Sequence, residues 1–254
     1  MYDRVDASSG ESLCRTMAEE CDTAILAFST GKDSIAAWLQ LRKYFKHVIP
    51  YYCYTVPGLE FVENSLAYYE DFFGTHIYRL PHRSLYRMLR NLVFQSPEHV
   101  TKIEALDLPG EEYDDAEIGE IIRECKRLPE CVYTATGVRM ADSPMRRIAM
   151  KTHGAINHNA KRFYPVFDWV KADLLREFDA SGVRLPVDYK LFGRTFDGID
   201  YRFLKPIKEN FPRDYEKIIT WFPLAELELF RRGERQWDIG TTTKLRKQKT
   251  ITLN

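Results

Sequence analysis

The stretch Ala24–Leu41, AILAFSTGKDSIAAWLQL, constrains the fold of this chain more than any other. Its apolar residues Ala24–Phe28 predict a short buried strand, the polar residues Ser29–Asp33 predict a tight loop, and the apolar residues that follow recur at helical spacing. A strand that leads through a glycine-containing loop into a helix brings backbone N–H groups and the positive end of the helix dipole to one point. The stretch therefore predicts an anion-binding site in an α/β fold.

The side chains of this loop also suit phosphate. Lys32 adds a mobile positive charge, while Ser29, Thr30 and Ser34 add hydroxyls that can donate hydrogen bonds to phosphate oxygens. Asp33 adds a carboxylate, which among phosphates indicates a magnesium ion.

The spacing excludes two well-known phosphate loops. A P-loop has glycine five positions before its Gly-Lys pair and Ser or Thr after the lysine, but here those positions hold Leu26 and Asp33. The dinucleotide-binding fingerprint G-x-G-x-x-G is absent, because Gly31 is the only glycine in this loop. The order S-x-G-K-D-S over Ser29–Ser34 instead resembles the loop of the ATP pyrophosphatase, or PP-loop, superfamily, whose members cleave ATP between its α- and β-phosphates. A helix capped by Ser and Asp after a chain reversal at Gly31 is the alternative.

Length and charge bound the rest of the molecule. The 254 residues suffice for one large α/β domain, or for one domain with a smaller appendage. Lys and Arg together number 37, as do Asp and Glu, so the net charge is zero. The molecule as a whole therefore does not attract a polyanion, and only a local basic patch would bind one. The start lacks the pattern of a signal peptide, and no apolar run has membrane-spanning length. We therefore expect a soluble, cytoplasmic protein with no membrane partner.

The cysteines and histidines predict no metal site. The cysteines are odd in number, lack C-x-x-C spacing and are expected to be free thiols. They are Cys14, Cys21, Cys53, Cys125 and Cys131. His153 and His158 are five apart, which does not place them on one helix face.

Strands and helices alternate after the first loop. The residues His47–Thr55 predict a second strand, and a helix stopped by Gly74 leads to a third strand at Thr75–Leu80. This alternation predicts a parallel sheet with right-handed crossovers. Ligands of such sheets bind at the carboxyl ends of the strands, where Ser29–Asp33 and Thr55–Gly58 would both lie.

The pattern predicts two domains. Residues 1–200 form the nucleotide-binding domain, with an acidic helical insertion at about 82–130. Within it, the loop-like segment Gly182–Gly198 carries Tyr189, Phe192 and Arg194 and is placed to cover a nucleotide. Residues 201–254 form a helical extension that ends in a basic tail, which is a frayed end, a nucleic-acid arm or a docking segment.

A second informative block spans residues 131–147. A buried strand is predicted at Cys131–Thr136, and a cluster of arginines just beyond its carboxyl end suits an anion clamp. The residues that follow the strand are Gly137, Arg139, Asp142, Ser143, Arg146 and Arg147. Their order, G-V-R-x-x-D-S-x-x-R, resembles the second signature of the phosphoadenosine-phosphosulfate (PAPS) reductase branch, with Asp142 in place of glutamate. The alternative is an Arg-rich, capped helix start that pairs with surface carboxylates.

A third segment agrees with this resemblance, which covers about residues 24–200. Pro165, Asp168, Trp169 and Asp173 resemble the P-[IVL]-x-D-W-x-x-x-D segment of that branch. Asp168 is expected to cap a helix that begins at Trp169.

The cysteines separate this chain from the reductases that it resembles. Those enzymes use a nucleophilic cysteine in a C-terminal tail, and here no cysteine follows Cys131. Thiolating relatives bring paired cysteines or an iron–sulfur cluster, and the spacing Cys125-x5-Cys131 cannot supply four thiolates. The resemblance therefore implies cleavage of ATP at the α-phosphate, with adenylyl transfer to, or activation of, an unidentified acceptor. Two alternatives remain: a PAPS reductase or sulfur transferase that uses a partner thiol, in nucleic-acid modification among other settings, and a non-catalytic regulatory or defence-type subunit.

The resemblance also implies the cofactors, ATP and Mg²⁺, and the site residues. Lys32, Asp33 and Arg139 are the expected catalytic residues, and Asp33 is the expected metal ligand. The expected nucleotide-binding residues are Ala27, Ser29, Thr30, Gly31, Lys32, Ser34, Cys53, Gly137, Arg139, Ser143, Arg146 and Arg147, with adenine near Ala27 and Cys53. A protein partner or homo-oligomer, and nucleic acid at the basic tail, remain open.

Overall fold

The computed structural model describes residues 8–104, 113–114 and 117–233. Its strands are β1 (Thr23–Ala27), β2 (His47–Tyr54), β3 (Tyr78–Pro81), β4 (Thr134–Thr136), β5 (Ile156–Asn157) and β6 (Arg162–Phe163). Its helices are α1 (Gly10–Glu20), α2 (Lys32–Leu41), α3 (Glu60–Phe73), α4 (Arg83–Arg90), α5 (Pro97–Glu104), α6 (Glu117–Lys126), α7 (Pro144–His153), α8 (Lys171–Ser181), α9 (Val187–Phe192), α10 (Tyr201–Asn210), α11 (Pro212–Trp221) and α12 (Leu227–Gly233). Short 3-10 helices cover Met140–Asp142 and Pro223–Glu226.

The six strands form one sheet in the order β3-β2-β1-β4-β6-β5. All neighbours are parallel except β5 and β6. The predicted α/β class with a parallel sheet is confirmed, and so are the helices of the C-terminal part. Because β2 lies on one side of β1 and β4 on the other, the chain changes winding direction at β1. In such sheets a crevice opens at the carboxyl ends of the strands on either side of that change.

The core explains why β1 and α2 hold their positions. Ala24, Ile25 and Leu26 of β1 are fully buried, because helices cover both faces of a parallel sheet. The ring of Trp38 in α2 stacks on Phe73 with centroids 3.9 Å apart. Burying each large apolar side chain contributes about 1.5–3 kcal/mol, so the loop between β1 and α2 is carried by a well-anchored frame.

The connection from α3 to β3 is longer than predicted, and it includes residues that were expected to be part of the strand. As expected, α3 ends at Gly74, whose φ of 65° lies in the left-handed region. The strand predicted at Thr75–Leu80 begins only at Tyr78. The backbone N–H of Ile77 donates to the carboxylate of Glu70 at 2.8 Å, so this residue is bonded to a side chain of α3 instead of to β2.

The strand before the second block is also shorter than predicted. It covers Thr134–Thr136 and not Cys131–Thr136. The N–H of Val132 donates to the carbonyl of Pro129, which forms a turn where the prediction placed a strand.

The expected cap at Asp168 is wrong. Helix α8 begins at Lys171, and the carboxylate of Asp173 accepts the N–H of Val170 at its start. Asp168 instead accepts the N–H of Gly10 at 3.0 Å and so anchors the start of α1. Gly10 suits this contact, since an added Cβ would lie 2.1 Å from the carbonyl oxygen of Pro165.

The described residues fall into two compact units. The first lies within 1–86 and 109–195, and the second within 87–108 and 196–254. In the second, Phe203 and Ile218 are buried, and the Gln95 side chain donates to the carbonyl of Trp221. The division at residue 200 remains a prediction.

Some predicted features fall elsewhere in the chain. The basic tail and much of the acidic segment lie outside the described residues. Among the residues that are described, no helix is long and apolar enough to cross a membrane.

Candidate functional site

A cavity of about 490 Å³ opens at the carboxyl ends of β1 and β4. This volume falls in the range of small-molecule sites. It is lined by Ala27, Ser29, Gly31, Lys32, Asp33, Ser34, Thr136, Gly137, Val138, Asp142, Arg146, Tyr189, Arg194 and Thr195. The cavity therefore brings together the loop after β1, the segment after β4 and the residues that follow α9.

The loop after β1 is held in a strained shape. Thr30 has a φ of 57°, which is uncommon for a β-branched residue, and is only 4% exposed. The Ser34 hydroxyl donates to the carbonyl of Gly31 at 2.9 Å and accepts the N–H of Ser29 at 3.2 Å. These bonds close the loop on the first turn of α2 and hold its backbone at the cavity wall.

The start of α2 has no side-chain cap. Its N-cap is Gly31, which has no capping side chain, and the Ser29 hydroxyl accepts only the N–H of Gly31 itself, at 3.4 Å, so the alternative of a helix capped by Ser and Asp is wrong. The N–H of Lys32 donates instead to the hydroxyl of Tyr189 at 3.0 Å. The positive end of α2 is thus directed at the cavity, as anion binding requires.

Gly137 lets β4 approach this loop closely. An added Cβ would lie 2.5 Å from the carbonyl carbon and oxygen of Asp33 and 2.7 Å from the amide nitrogen of Ser34. A glycine is therefore required for the loops after β1 and β4 to meet.

Side chains of alternating charge form a chain of ion pairs beside the cavity. Asp33 lies 2.9 Å from the Lys32 ammonium and 2.7 Å from Nε of Arg139. Asp142 pairs with Arg139 on one side and with Arg146 on the other, each at 2.9 Å. The two carboxylates thus connect the loop after β1 to the start of α7.

Arg139 lies beneath the cavity and not in its wall. It is 6% exposed, and besides its two carboxylate partners it donates to the carbonyl of Trp169 at 3.3 Å. Although Nε of Arg139 and Oδ1 of Asp33 are close, neither atom makes an aligned hydrogen bond. The guanidinium is therefore placed to position Asp33 and Asp142 and does not line the cavity in this conformation, and its direct contact with phosphate stays a prediction.

The remaining predicted residues divide between the cavity and its surroundings. Ala27, Ser29, Gly31, Ser34, Gly137 and Arg146 line it together with Lys32 and Asp33. Thr30 is buried in the loop, and Ser143 caps α7 by accepting the N–H of Arg146 at 3.1 Å.

Besides Thr30, Arg139 and Ser143, two further predicted residues lie outside the cavity lining. Arg147 is exposed on α7. Cys53 packs against the core cluster that contains Ile25 and Tyr51. Neither side chain lines the cavity in this conformation.

The structure adds residues that the predicted site lacked. They are Thr136, Val138, Asp142, Tyr189, Arg194 and Thr195. The glycine-bounded segment with Tyr189 and Arg194 was the sequence signal for two of them, and part of that segment forms the short helix α9 where a loop was expected. The hydroxyl oxygen of Thr136 is buried without a hydrogen-bond partner, which leaves it available to a ligand.

Burial governs the titration of the aromatic residues behind α9. Burial, and then the charge of Asp188, hold the pKa of Tyr52 well above its usual value. Burial also raises the pKa of Tyr69, whose hydroxyl donates to the carbonyl of Arg184 at 2.8 Å. Both phenols therefore stay protonated near neutral pH and provide no anionic group.

The charges of the wall favour an anion over a cation. Lys32, Arg146 and Arg194 outnumber Asp33 and Asp142. No group of three metal-binding side chains occurs among the residues that the structure describes. Asp33 could supply a carboxylate to a metal ion here, whose other ligands would come from a bound phosphate and water, as for Mg²⁺.

No protein-family model matches the chain, and no curated protein matches it. Among solved structures it is similar to the U34-tRNA thiolase NcsA of Methanococcus maripaludis with its 4Fe–4S cluster, at 12% identity and a TM-score of 0.45 over 85% of this chain and 79% of that one. It is also similar to the NH3-dependent NAD synthetase of Campylobacter jejuni in complex with nitrate, at 13% identity and a TM-score of 0.41 over 87% of this chain and 93% of that one. At these identities and TM-scores neither likeness decides what this chain does.

Proposed function

We propose that this protein is an ATP-binding enzyme of the PP-loop superfamily that cleaves ATP between its α- and β-phosphates. The observation that carries the proposal is the convergence of the S-x-G-K-D-S loop, the amino end of α2 and the basic side chains Lys32 and Arg146 on one cavity. This is where a nucleotide binds in a sheet of this topology. The PAPS reductase-like branch is the proposed place within the superfamily, because the loop and the Gly137–Arg146 signature occur together.

Phosphate binding follows from the geometry of the loop. The amides of the first turn of α2 have no acceptor within the helix, and the helix dipole attracts negative charge there. Lys32, the first residue of α2, and Arg146, in the first turn of α7, both line the cavity at this end of the helix. They are proposed to hold the β- and γ-phosphates, which leave as pyrophosphate when an acceptor oxygen attacks the α-phosphorus.

Adenine is proposed to lie against the end of β1. Ala27 lines the cavity and can offer its backbone, whereas Cys53 lies outside the lining. Thr136 has a buried, unpartnered hydroxyl in the same wall, which suits a ribose or phosphate oxygen.

Lys32 and Asp33 are proposed to exchange partners when the nucleotide binds. In the structure they pair at 2.9 Å, and Oδ1 of Asp33 makes no aligned hydrogen bond. Lys32 would turn to a phosphate oxygen, which frees Oδ2 of Asp33 to hold Mg²⁺ while Arg139 stays beside Oδ1. When bound, the ion would neutralise charge on the phosphates, and this residue would supply its protein carboxylate.

The thiols give little support to the reductase alternative. None of the five cysteines lines the cavity. Burial raises the pKa of the Cys14 thiol far above its usual value, and burial and a hydrogen bond with Cys131 raise that of Cys21 to about 11. Since the thiolate is the nucleophile, a sulfur reaction here would need a thiol from a partner. Free thiols and dependence on ATP support a cytoplasmic location.

A pyrophosphate-release assay tests the proposal. The wild-type protein should release pyrophosphate from ATP in the presence of Mg²⁺, and Lys32→Ala should not. Lys46→Ala is the matched control, because Lys46 is exposed beyond the far end of α2 and should leave the activity unchanged. Tight ATP binding without pyrophosphate would instead favour the non-catalytic alternative, and activity in Lys32→Ala would show that the loop has only a structural role.

A further inference from the structure

The hydroxyl of Tyr189 lies at the start of α2, against the first amide of the helix and in the wall of the cavity. It accepts the N–H of Lys32 at 3.0 Å, across 157 positions of sequence. Lys32 is the first residue of α2, and the amides of a helix's first turn have no acceptor inside the helix. The hydroxyl therefore satisfies a donor that otherwise serves an incoming anion.

The segment around Tyr189 is built to hold this hydroxyl at the cavity. Helix α9 starts after Pro186 and stops at Gly193, whose φ of 72° allows the chain to turn back. Arg194 and Thr195 then line the same cavity. The Phe192 ring packs edge-on against Phe61 with centroids 6.2 Å apart, which fixes the helix on the first unit.

We propose that Tyr189 is a positioning residue that sets the affinity and selectivity of the phosphate subsite. Its hydroxyl holds the Lys32 amide until a phosphate oxygen displaces it. The inference rests on the proposed function and specifies how its binding site is regulated. A ligand must displace the Tyr189 hydroxyl, a neutral acceptor, from the Lys32 amide before it can bind there.

The competition selects for charge. A hydrogen bond to an ionised oxygen is roughly twice as strong as one between neutral groups. A phosphate oxygen can therefore replace the phenol, whereas a neutral ligand such as a nucleoside gains nothing at this amide. This competition would add to the discrimination by charge that Lys32, Arg146 and Arg194 in the wall already provide.

The test measures inorganic pyrophosphate binding to wild type and to Tyr189→Phe by titration calorimetry. Removing the competing hydroxyl should tighten binding roughly two- to tenfold, the range set by one neutral hydrogen bond. The same variant should unfold at a slightly lower temperature, because the bond is lost in the free protein. A residue with a purely structural role would lower both stability and affinity. Tyr133→Phe is the control, because it loses a hydroxyl contact with His158 and lies outside the cavity lining.

A second measurement does not depend on affinity. In the free protein, Tyr189→Phe should change the NMR shift of the Lys32 amide and speed its hydrogen exchange, and pyrophosphate should shift the same amide in wild type. Unchanged or weaker pyrophosphate binding in Tyr189→Phe, with wild type still binding, overturns this inference and leaves the proposed function standing. Absence of pyrophosphate and ATP binding in wild type rejects both.

Discussion

Nε of Arg139 lies 2.7 Å from Oδ1 of Asp33, and this contact joins the loop after β4 to the loop after β1. The Arg139 side chain is 7% exposed and also pairs with Asp142. One guanidinium thus holds the two carboxylates of the cavity wall in place.

Arg139→Ala should be destabilising. It leaves Asp33 and Asp142 without their shared partner, but both are partly exposed and each keeps one cation, Lys32 or Arg146, so the cost should be about 1–3 kcal/mol, below that of a fully buried pair. Arg139→Lys should recover only part of the lost stability, because a single ammonium cannot contact both Asp33 and Asp142 as the planar guanidinium does. Urea unfolding measures both effects. Arg147→Ala on the exposed side of α7 is the control and should stay within about 0.5 kcal/mol of wild type; an equal loss there would contradict the assigned role of Arg139.

Gly137→Ala should damage the loop that it contacts. Its Cβ would lie 2.5 Å from the Asp33 backbone, so the loop must shift, at a cost of about 1–3 kcal/mol. Nucleotide affinity should fall with stability, because the shifted atoms belong to the first turn of α2. Gly198→Ala is the matched control, since its nearest neighbour would be 3.7 Å away. Full nucleotide affinity in Gly137→Ala would show that the two loops need not touch.

The Glu70–Arg79 pair predicts a dependence of stability on pH. The Arg79 guanidinium, with the N–H of Ile77, holds the pKa of Glu70 at about 2, below its usual 4.5. A carboxyl with a lowered folded-state pKa stabilises the protein above its unfolded pKa, and this contribution disappears as the pH falls from about 4.5 to about 2.

Glu70→Gln should therefore cost about 1–2 kcal/mol at pH 7, a value reduced for the 24% exposure of the side chain, and much less near pH 2. Unfolding free energies across this pH range measure the difference. Glu19→Gln, at an exposed position of α1, should show no such trend. A cost for Glu70→Gln that does not change with pH would contradict the ionic origin of the stabilisation.

Local patterns predicted the parts of the site that local structure determines. The strand, loop and helix around Gly31 follow from the order of neighbouring residues, and so does the glycine after β4. The burial of Arg139 does not follow from neighbouring residues, because it depends on contacts with Trp169 and Asp33, which are distant in sequence. The same holds for Asp168, whose partner is Gly10, and for Tyr189 at the Lys32 amide. Contacts of this range depend on how the elements pack, and hydrophobic periodicity does not specify them.

The products formed from ATP test the central claim most directly. The protein should be incubated with Mg²⁺ and ATP labelled at the α-phosphorus, and the labelled products separated. The proposed function predicts AMP, or an adenylylated acceptor, together with pyrophosphate, and it predicts neither from Lys32→Ala. Labelled ADP with inorganic phosphate would show cleavage at the γ-phosphate and would contradict the claim.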